Sequence, residues 1–308
     1  MSRLPSLTAL RAYEAAARSG SVTAAARQLA VTPGAVSHQI KLLEEDLGLK
    51  LLERNGRSVV PTLAGRAGLA QLTLAFQQIV HGVEAIRRAA DPSALVISVA
   101  PSFASAWLLP RLDRYWARHP DIDVRIETKW GLTDFLADSI DLAIRFGAGG
   151  YHGLFERQLL DEEYFPVCAP ELAPALTVPA DLGEQRLIHI DADAWPDYPT
   201  WRMWLKAAGV EDSVDFRSGP HFQISELALK AAREGRGIAL GSTALVADDL
   251  RQGRLVRPFP LSVVAPLAYY VVAPKHNLER PVVQGFVDWL LEEAASFQAN
   301  ESGRLRRA

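Results

Sequence analysis

Ser21-Val22-Thr23-Ala24-Ala25-Ala26-Arg27-Gln28-Leu29-Ala30-Val31-Thr32-Pro33-Gly34-Ala35-Val36-Ser37-His38-Gln39-Ile40-Lys41 is the stretch on which the reading of the chain turns. Ser21 suits a helix cap, and Ala24, Ala25, Ala26 and Ala30 give the helix from about Val22 to Leu29 a surface small enough for another helix to cross closely. The turn Ala30-Val31-Thr32 leads to Pro33, whose missing N–H costs nothing at a first helical position, with Thr32 placed to cap. In the helix that follows, Val36, Ile40, Leu43 and Leu47 step by four, three and four, which predicts one apolar stripe toward a core. Gly34, Ser37, His38 and Lys41 project from the other face: a residue that permits close approach, two hydrogen-bonding groups and a cation. That set suits a face laid along a DNA groove, with Lys41 on a phosphate.

Working outward, Leu7, Leu10, Tyr13, Ala16 and Ala17 mark a first helix from about Ser6 to Arg18, ended by Gly20. Beyond Gly48, two β-compatible arms between Lys50 and Val60 flank Asn55-Gly56, a short hairpin signal, with Arg54 and Arg57 beside its tip. Residues 1–61 therefore read as a winged helix-turn-helix domain. Thr62 can cap a helix in which Leu69, Leu72, Phe76, Ile79, Val83 and Ile86 repeat at three and four, the seam of a coiled coil with a partner helix. Residues 62–91 are thus expected to be a linker and dimerisation helix, broken at Asp91-Pro92-Ser93.

Charge follows the same division. Residues 1–90 hold eleven basic and six acidic residues, a balance of +5, whereas the remainder holds 22 and 30, a balance of −8. A basic end on an acidic body is what phosphate contact by that end requires.

Residues 92–308 alternate strand and helix. Leu95–Ala100, Ile122–Thr128 and Asp141–Phe146 read as strands, with helices about Leu108–Arg118 and Thr133–Ser139. Strands at Phe165–Ala169, Leu187–Ile190, Phe216–Ser218 and Gly237–Leu240 follow, with helices near Trp201–Ala208 and Ser225–Glu234. The chain returns through Leu267–Ala273 and closes on a helix about Pro281–Ala295. The expectation is a mostly parallel α/β sheet in two lobes, lobe I at 92–163 and 267–308 and lobe II at 164–266, with crossings near Glu162–Tyr164 and Val264–Pro266. Ligands of such sheets sit beyond the carboxyl ends of the strands, which places Ser102, Thr128, Trp130, Phe146 and Gly147 at a cleft. Ser102, at a helix start, suits an anion or a carbonyl.

Other chemistries find little support. Gly235-Arg236-Gly237 precedes a strand rather than following one, and no nucleophile elbow, zinc-protease or kinase motif occurs. Glu162 and Glu163 are adjacent, so in an extended segment they face opposite ways and make a poor acid/base pair. His119, His152, His189 and His221 lack metal-ligand spacing, which leaves no metal and no cofactor to expect. Cys168 stands alone beside Val167 and reads as a buried inert thiol. With 49% hydrophobic residues, 22% charged and a mean hydropathy of +0.03, the chain can bury a core. No run is long enough to span a bilayer and no secretory signal is evident, so the expected place is the cytoplasm. A DNA-independent small-molecule sensor is the alternative to a DNA-binding regulator.

The run from Leu10-Arg11-Ala12-Tyr13 through Ser21-Val22-Thr23-Ala24-Ala25-Ala26, Val31-Thr32-Pro33-Gly34-Ala35-Val36-Ser37-His38-Gln39-Ile40 and Leu42-Leu43-Glu44-Glu45-Asp46-Leu47-Gly48 resembles the LysR-type transcriptional regulators. So do Leu51-Leu52-Glu53-Arg54 and Pro61-Thr62-Leu63-Ala64-Gly65. Ile144-Arg145-Phe146-Gly147 with Gly150-Tyr151-His152-Gly153 is similar to the branch of the glycine-cleavage and β-lactamase-inducing regulators. The resemblance implies a winged helix-turn-helix, a linker helix and a two-lobed effector domain like the periplasmic binding proteins. It implies a homodimer or homotetramer on promoter DNA, a small-molecule effector and RNA polymerase as a further partner. DNA contacts carry over to Thr32, Pro33, Gly34, Ser37, His38, Gln39 and Lys41, with Arg54 and Arg57 in the wing; Gly34 and His38 depart from the commoner family residues. Effector contacts carry over to Ser102, Phe103, Thr128, Trp130, Phe146, Gly147, Phe222, Gln223 and Tyr269.

Overall fold

The computed structural model describes residues 4–56, 58–89, 91–129, 135, 139–191 and 197–305, and among these the side chains of all but 81, 84, 85, 88, 89 and 301–305. The chain divides into two compact units, one ending at Arg87 and the other beginning at Arg88.

In the first unit three helices, α1 (Leu7–Ser19), α2 (Val22–Gln28) and α3 (Pro33–Leu47), enclose a small core of Leu10, Tyr13, Ala16, Ala25, Val36, Ile40 and Leu43. Ala25 and Ala26 are buried in the helix crossing as their small size predicts, whereas Ala24 is half-buried and Ala30 lies exposed beyond the helix with φ 54. Ser21 Oγ accepts from Ala24 N–H, and Thr32 Oγ1 accepts from Ala35 N–H at 3.2 Å, so both caps form. Leu47 does not join the core stripe: it lies in the last turn of α3, where the helix runs past the core, and is 43% exposed.

The wing is a hairpin of β1 (Leu52–Asn55) and β2 (Ser58–Pro61), paired from Leu52↔Pro61 to Asn55↔Ser58. Its turn begins one residue later than expected. Asn55 is already paired, and Gly56 opens the turn with φ +61, a conformation that needs no Cβ. Arg57 lies outside the described residues.

Helix α4 (Leu63–Ala89) begins where Thr62 Oγ1 accepts from Gly65 N–H and donates to Lys50 C=O, fastening it to the wing. A Cβ on Gly65 would stand 2.3 Å from Leu51 C=O, so only glycine lets the helix lie this close. The seam expected to face a partner helix is divided. Leu69, Leu72 and Phe76 pack on the head's own core, with Thr73 Oγ1 donating to Glu14 at 3.1 Å, whereas Ile79, Val83 and Ile86 are exposed. Heptad spacing shows that a helix has an apolar seam; it does not say which surface covers each part of it.

The second unit is built on one eight-stranded sheet of order β4-β3-β5-β10-β6-β9-β7-β8. Its strands are β3 (Ala94–Val99), β4 (Asp123–Thr128), β5 (Leu142–Gly147), β6 (Leu154–Val167), β7 (Leu187–Ile190), β8 (His221–Phe222), β9 (Ile238–Ser242) and β10 (Val263–Pro274). β3 runs parallel to β4 and β5, and β7 parallel to β8 and β9. Between these halves β10 is antiparallel to β5 and β6, and β6 antiparallel to β9. The sheet is therefore mixed rather than mostly parallel. Phe165–Ala169 is not a strand of its own but the end of β6, which with β10 passes through both halves. Where a linker was expected near Glu162–Tyr164, the strands continue, and the register breaks: Val264 faces Glu163 but Ala268 faces Asp161, leaving Ala265–Leu267 bulged opposite Glu162.

Helices cover both halves. α5 (Pro101–Phe103) passes through a π-helical turn, Ala104–Leu108, into α6 (Leu109–Arg118). The others are α7 (Trp201–Ala207), α8 (Ser225–Arg233), α9 (Thr243–Arg251) and α10 (Pro281–Leu305). α9 was not foreseen, and the strand expected at Phe216–Ser218 is absent. There Asp215 Oδ1 accepts from Arg217 N–H and bends the chain, so pairing starts only at His221. The helix expected at Thr133–Ser139 falls largely outside the described residues.

Candidate functional site

Two groups of side chains stand out, one in each unit. In the head, Thr32, Pro33, Gly34, Ser37, His38 and Lys41 are exposed and Gln39 is half-buried, all carried by α3 with Val36, Ile40 and Leu43 turned inward. Thr32 is committed to capping. The nearest atom to a Cβ built on Gly34 is Thr32 Oγ1 at 4.0 Å, so nothing in the chain's own packing requires glycine there. Lys41 Nζ is 3.6 Å from Glu45, an exposed pair that a stronger anion can displace. Arg54 is exposed on β1.

The recognition face is tied to the wing from behind by Glu44, which sequence reasoning did not single out. Its Oε1 accepts from Leu51 N–H at 2.9 Å and Leu52 N–H at 3.3 Å, and its Oε2 accepts from Lys50 Nζ at 2.6 Å. Burial opposes ionisation, yet the hydrogen bonds from Lys50, Leu51 and Leu52 outweigh it and hold the carboxyl below the usual carboxylate range.

In the body, the expected ligand residues gather where the two halves meet. Tyr269 and Phe146 are cross-strand neighbours, as are Ala268 and Gly147. The Tyr269 ring lies 4.2 Å from Phe103 and 5.1 Å from Phe146. Ser102 is buried, and its Oγ accepts from Glu226 N–H of α8 at 3.2 Å. Thr128 ends the neighbouring β4, exposed. Trp130 lies outside the described residues. Phe222 and Gln223 lie on and just after the edge strand β8, a few residues before Glu226; Phe222 packs toward the core and Gln223 is exposed.

The structure adds residues to this group. Tyr198 stands 6.1 Å from Phe146 and 5.8 Å from Tyr164, extending the row of rings from one half to the other. Burial and nearby Glu162 push its hydroxyl up to about 12 despite a bond with Ser225. Beneath it lies Glu162, on β6 opposite the bulge. Both carboxylate oxygens accept from Ala244 N–H at 3.2 Å, in the first turn of α9, with Ser242 and Thr243 also bonded. Among the described residues no cation pairs with it, and burial pushes the carboxyl up to about 8. Glu163 faces the other way as expected, accepting from Ser262 Oγ at 2.6 Å.

The remaining candidates are quiet. Among the described residues no group of three or more His, Cys, Asp or Glu could hold a metal ion. His189 and His221 stack at 4.4 Å, and His221 Nδ1 is 2.7 Å from Asp191 Oδ1. Cys168 is buried, its thiol pushed up to about 11 by burial. No described helix is long and apolar enough to cross a membrane.

A winged helix-turn-helix with an open reading face, in one chain with a two-halved α/β body joined through β6 and β10, defines a ligand-responsive DNA-binding regulator. Residues 7–66 match the bacterial regulatory helix-turn-helix proteins of the lysR family, and residues 89–295 match the LysR substrate binding domain. The chain belongs to the LysR family of transcriptional regulators. It is similar to the glycine cleavage system transcriptional activator of Escherichia coli, 38% identical over 299 residues, 96% of either chain. It is also similar to the transcriptional activator AmpR of Pseudomonas aeruginosa, 38% identical over 290 residues, 94% of this chain and 96% of that one. The effector domain of Pseudomonas aeruginosa AmpR superposes with a TM-score of 0.58 at 34% identity, covering 69% of this chain and 99% of that domain.

Proposed function

We propose that α3 lies along the major groove of promoter DNA, reading bases with Ser37, His38 and Gln39 while Gly34 admits the duplex and Lys41 and the wing residues Arg54 and Arg57 meet phosphates. The single observation that carries this is the exposed face of α3, including a glycine that the chain's own packing does not need. A small cytoplasmic metabolite binds where the halves of the body meet, among Ser102, Phe103, Phe146, Gly147 and Tyr269, with Thr128, Trp130, Phe222 and Gln223 at the margins. Its differential affinity for two arrangements of the body resets paired heads on DNA and the access of RNA polymerase. No step of this reading is catalytic.

The test is protection of a defined promoter segment by the purified chain. Lys41→Ala is expected to weaken binding to all sequences and lower the slope of log K against log salt by about one unit. An unchanged slope removes Lys41 from the phosphate contacts, and no protected segment at low salt ends the reading.

Two heads are expected, in a homodimer or a tetramer built from it, because Ile79, Val83 and Ile86 present an uncovered apolar row on α4. The double substitution Ile79→Asp, Val83→Asp should turn a dimer into a monomer in sedimentation, and an unchanged sedimentation coefficient would place the dimer contact elsewhere.

A further inference from the structure

A string of polar contacts crosses between the two halves of the body. Glu226, in the first turn of α8, reaches back to the segment that follows β3. Its Oε2 accepts from the Ser105 hydroxyl at 3.0 Å, while its backbone N–H donates to Ser102 Oγ. Its Oε1 accepts from Arg233 at 2.8 Å, and the same guanidinium donates to buried Asp249 at 2.7 Å, which also holds Arg254. Arg233 is two turns beyond Glu226 on α8, so that pair is local, and an acid in a helix's first turn is favoured by the helix dipole alone. Neither reason explains Ser105, which is 121 residues away and belongs to the other half. Ser105 sits in the π-helical turn, where one extra residue per turn re-aims a side chain. Its single proton is also within reach of Ser102 C=O at 3.1 Å, so the bond to Glu226 can be released without leaving the hydroxyl unpaired.

We propose that Glu226 is the body's own latch: its carboxylate, held by Ser105 from one half and Arg233 from the other, keeps the halves together when no ligand is bound, and a ligand carboxylate competes for the same donors. The latch rests on the reading that this junction is the effector cleft. Glu226 and Arg233 are about a third and a quarter exposed, so a carboxylate from solvent can reach them. A carboxylate taking the Ser105 hydroxyl and the Arg233 guanidinium must displace the Glu226 carboxylate from both, which exchanges one anion for another at the same donors.

The test uses the full-length chain and the thermal transition of its body. Glu226→Ala and Ser105→Ala should each lower the midpoint by about 2–4 °C. The double variant should be no worse than Glu226→Ala, because both changes remove one interaction. About 0.1 M sodium acetate should return half or more of the loss in Glu226→Ala, beyond the response to equal sodium chloride, and much less in the double variant. Glu226→Gln, which keeps an acceptor for Ser105, should fall between wild type and Glu226→Ala. Additive losses with equal acetate responses in all variants would overturn the latch, since Glu226 would then serve only the first turn of α8. The assay contains no DNA, so absence of promoter protection would end the regulator reading while this result stood.

Discussion

Glu162→Gln is expected to remove a steep pH dependence from the stability of the body and to make the protein more resistant to urea than wild type above pH 8. The wild-type carboxyl is 1% exposed, has no cation beside it among the described residues, and is surrounded by Asp161 on its own strand, Ser242 and Thr243 at the start of α9, and the hydroxyls of Tyr164, Tyr198 and Tyr269. Burial raises it from 4.5 to about 8. Between those values the folded chain holds a proton that the unfolded chain has lost. The stability due to the neutral form is therefore complete below about pH 4.5 and is lost as pH rises through about 8, at about 1.4 kcal/mol per unit and on the order of 5 kcal/mol in all. Glutamine has nearly the same volume, never ionises and still accepts from Ala244 N–H. Urea midpoints from pH 5 to 9 should fall for wild type and stay level for the variant relative to it. Parallel profiles would show that Glu162 is ionised throughout or that the junction admits water.

The head was legible because its signals are local. Ser21, Thr32 and Pro33 cap helices within three residues of themselves, and the alanines of α2 state their own packing. Local signals fail where pairing is distant. The parallel half-sheets were read from strand–helix alternation, but β6 joins them through a run, Glu156 to Glu163, too polar to announce a strand: its neighbours β10 and β9 lie far along the sequence, Tyr164 facing Val263 and Ser242. Ser102, Phe103, Phe146 and Tyr269 do come together: the first two follow β3, Phe146 is near the end of β5, and Tyr269 is the mid-strand residue of β10 that pairs with it. Tyr198 and Glu226 gave no signal, because one belongs to an irregular segment and the other looks like any acid opening a helix. Spacing within α4 is silent on one point for a related reason: Leu69, Leu72 and Phe76, half-buried, pack in part on the head that precedes them in sequence.

The largest effect on the head is expected from Glu44→Ala, although Glu44 faces away from the surface assigned to DNA. Removing the side chain leaves Leu51 N–H buried without a partner and weakens Leu52 N–H, which together cost about 2–4 kcal/mol at the usual 1–3 kcal/mol for an unsatisfied buried donor. The lost pair with Lys50 adds little, since that ammonium is largely solvated. Both N–H groups are accepted by the same oxygen, Oε1, which glutamine retains, so Glu44→Gln should lose only about 1 kcal/mol. Amide exchange at Leu51 and Leu52 reads the difference directly: strongly accelerated in the alanine variant, nearly native in the glutamine one. Promoter binding should fail with the alanine variant even where the head remains folded, because Glu44 sets where β1 leaves α3 and hence where Arg54 stands. The pH sense is opposite to that of Glu162. A carboxyl held below its ordinary range contributes stability above that range and loses it as pH falls through the folded value, so the wild-type head should weaken in acid relative to Glu44→Gln. Equal exchange at Leu51 in wild type and Glu44→Ala would mean that the wing is positioned by β1–β2 pairing and Thr62 alone.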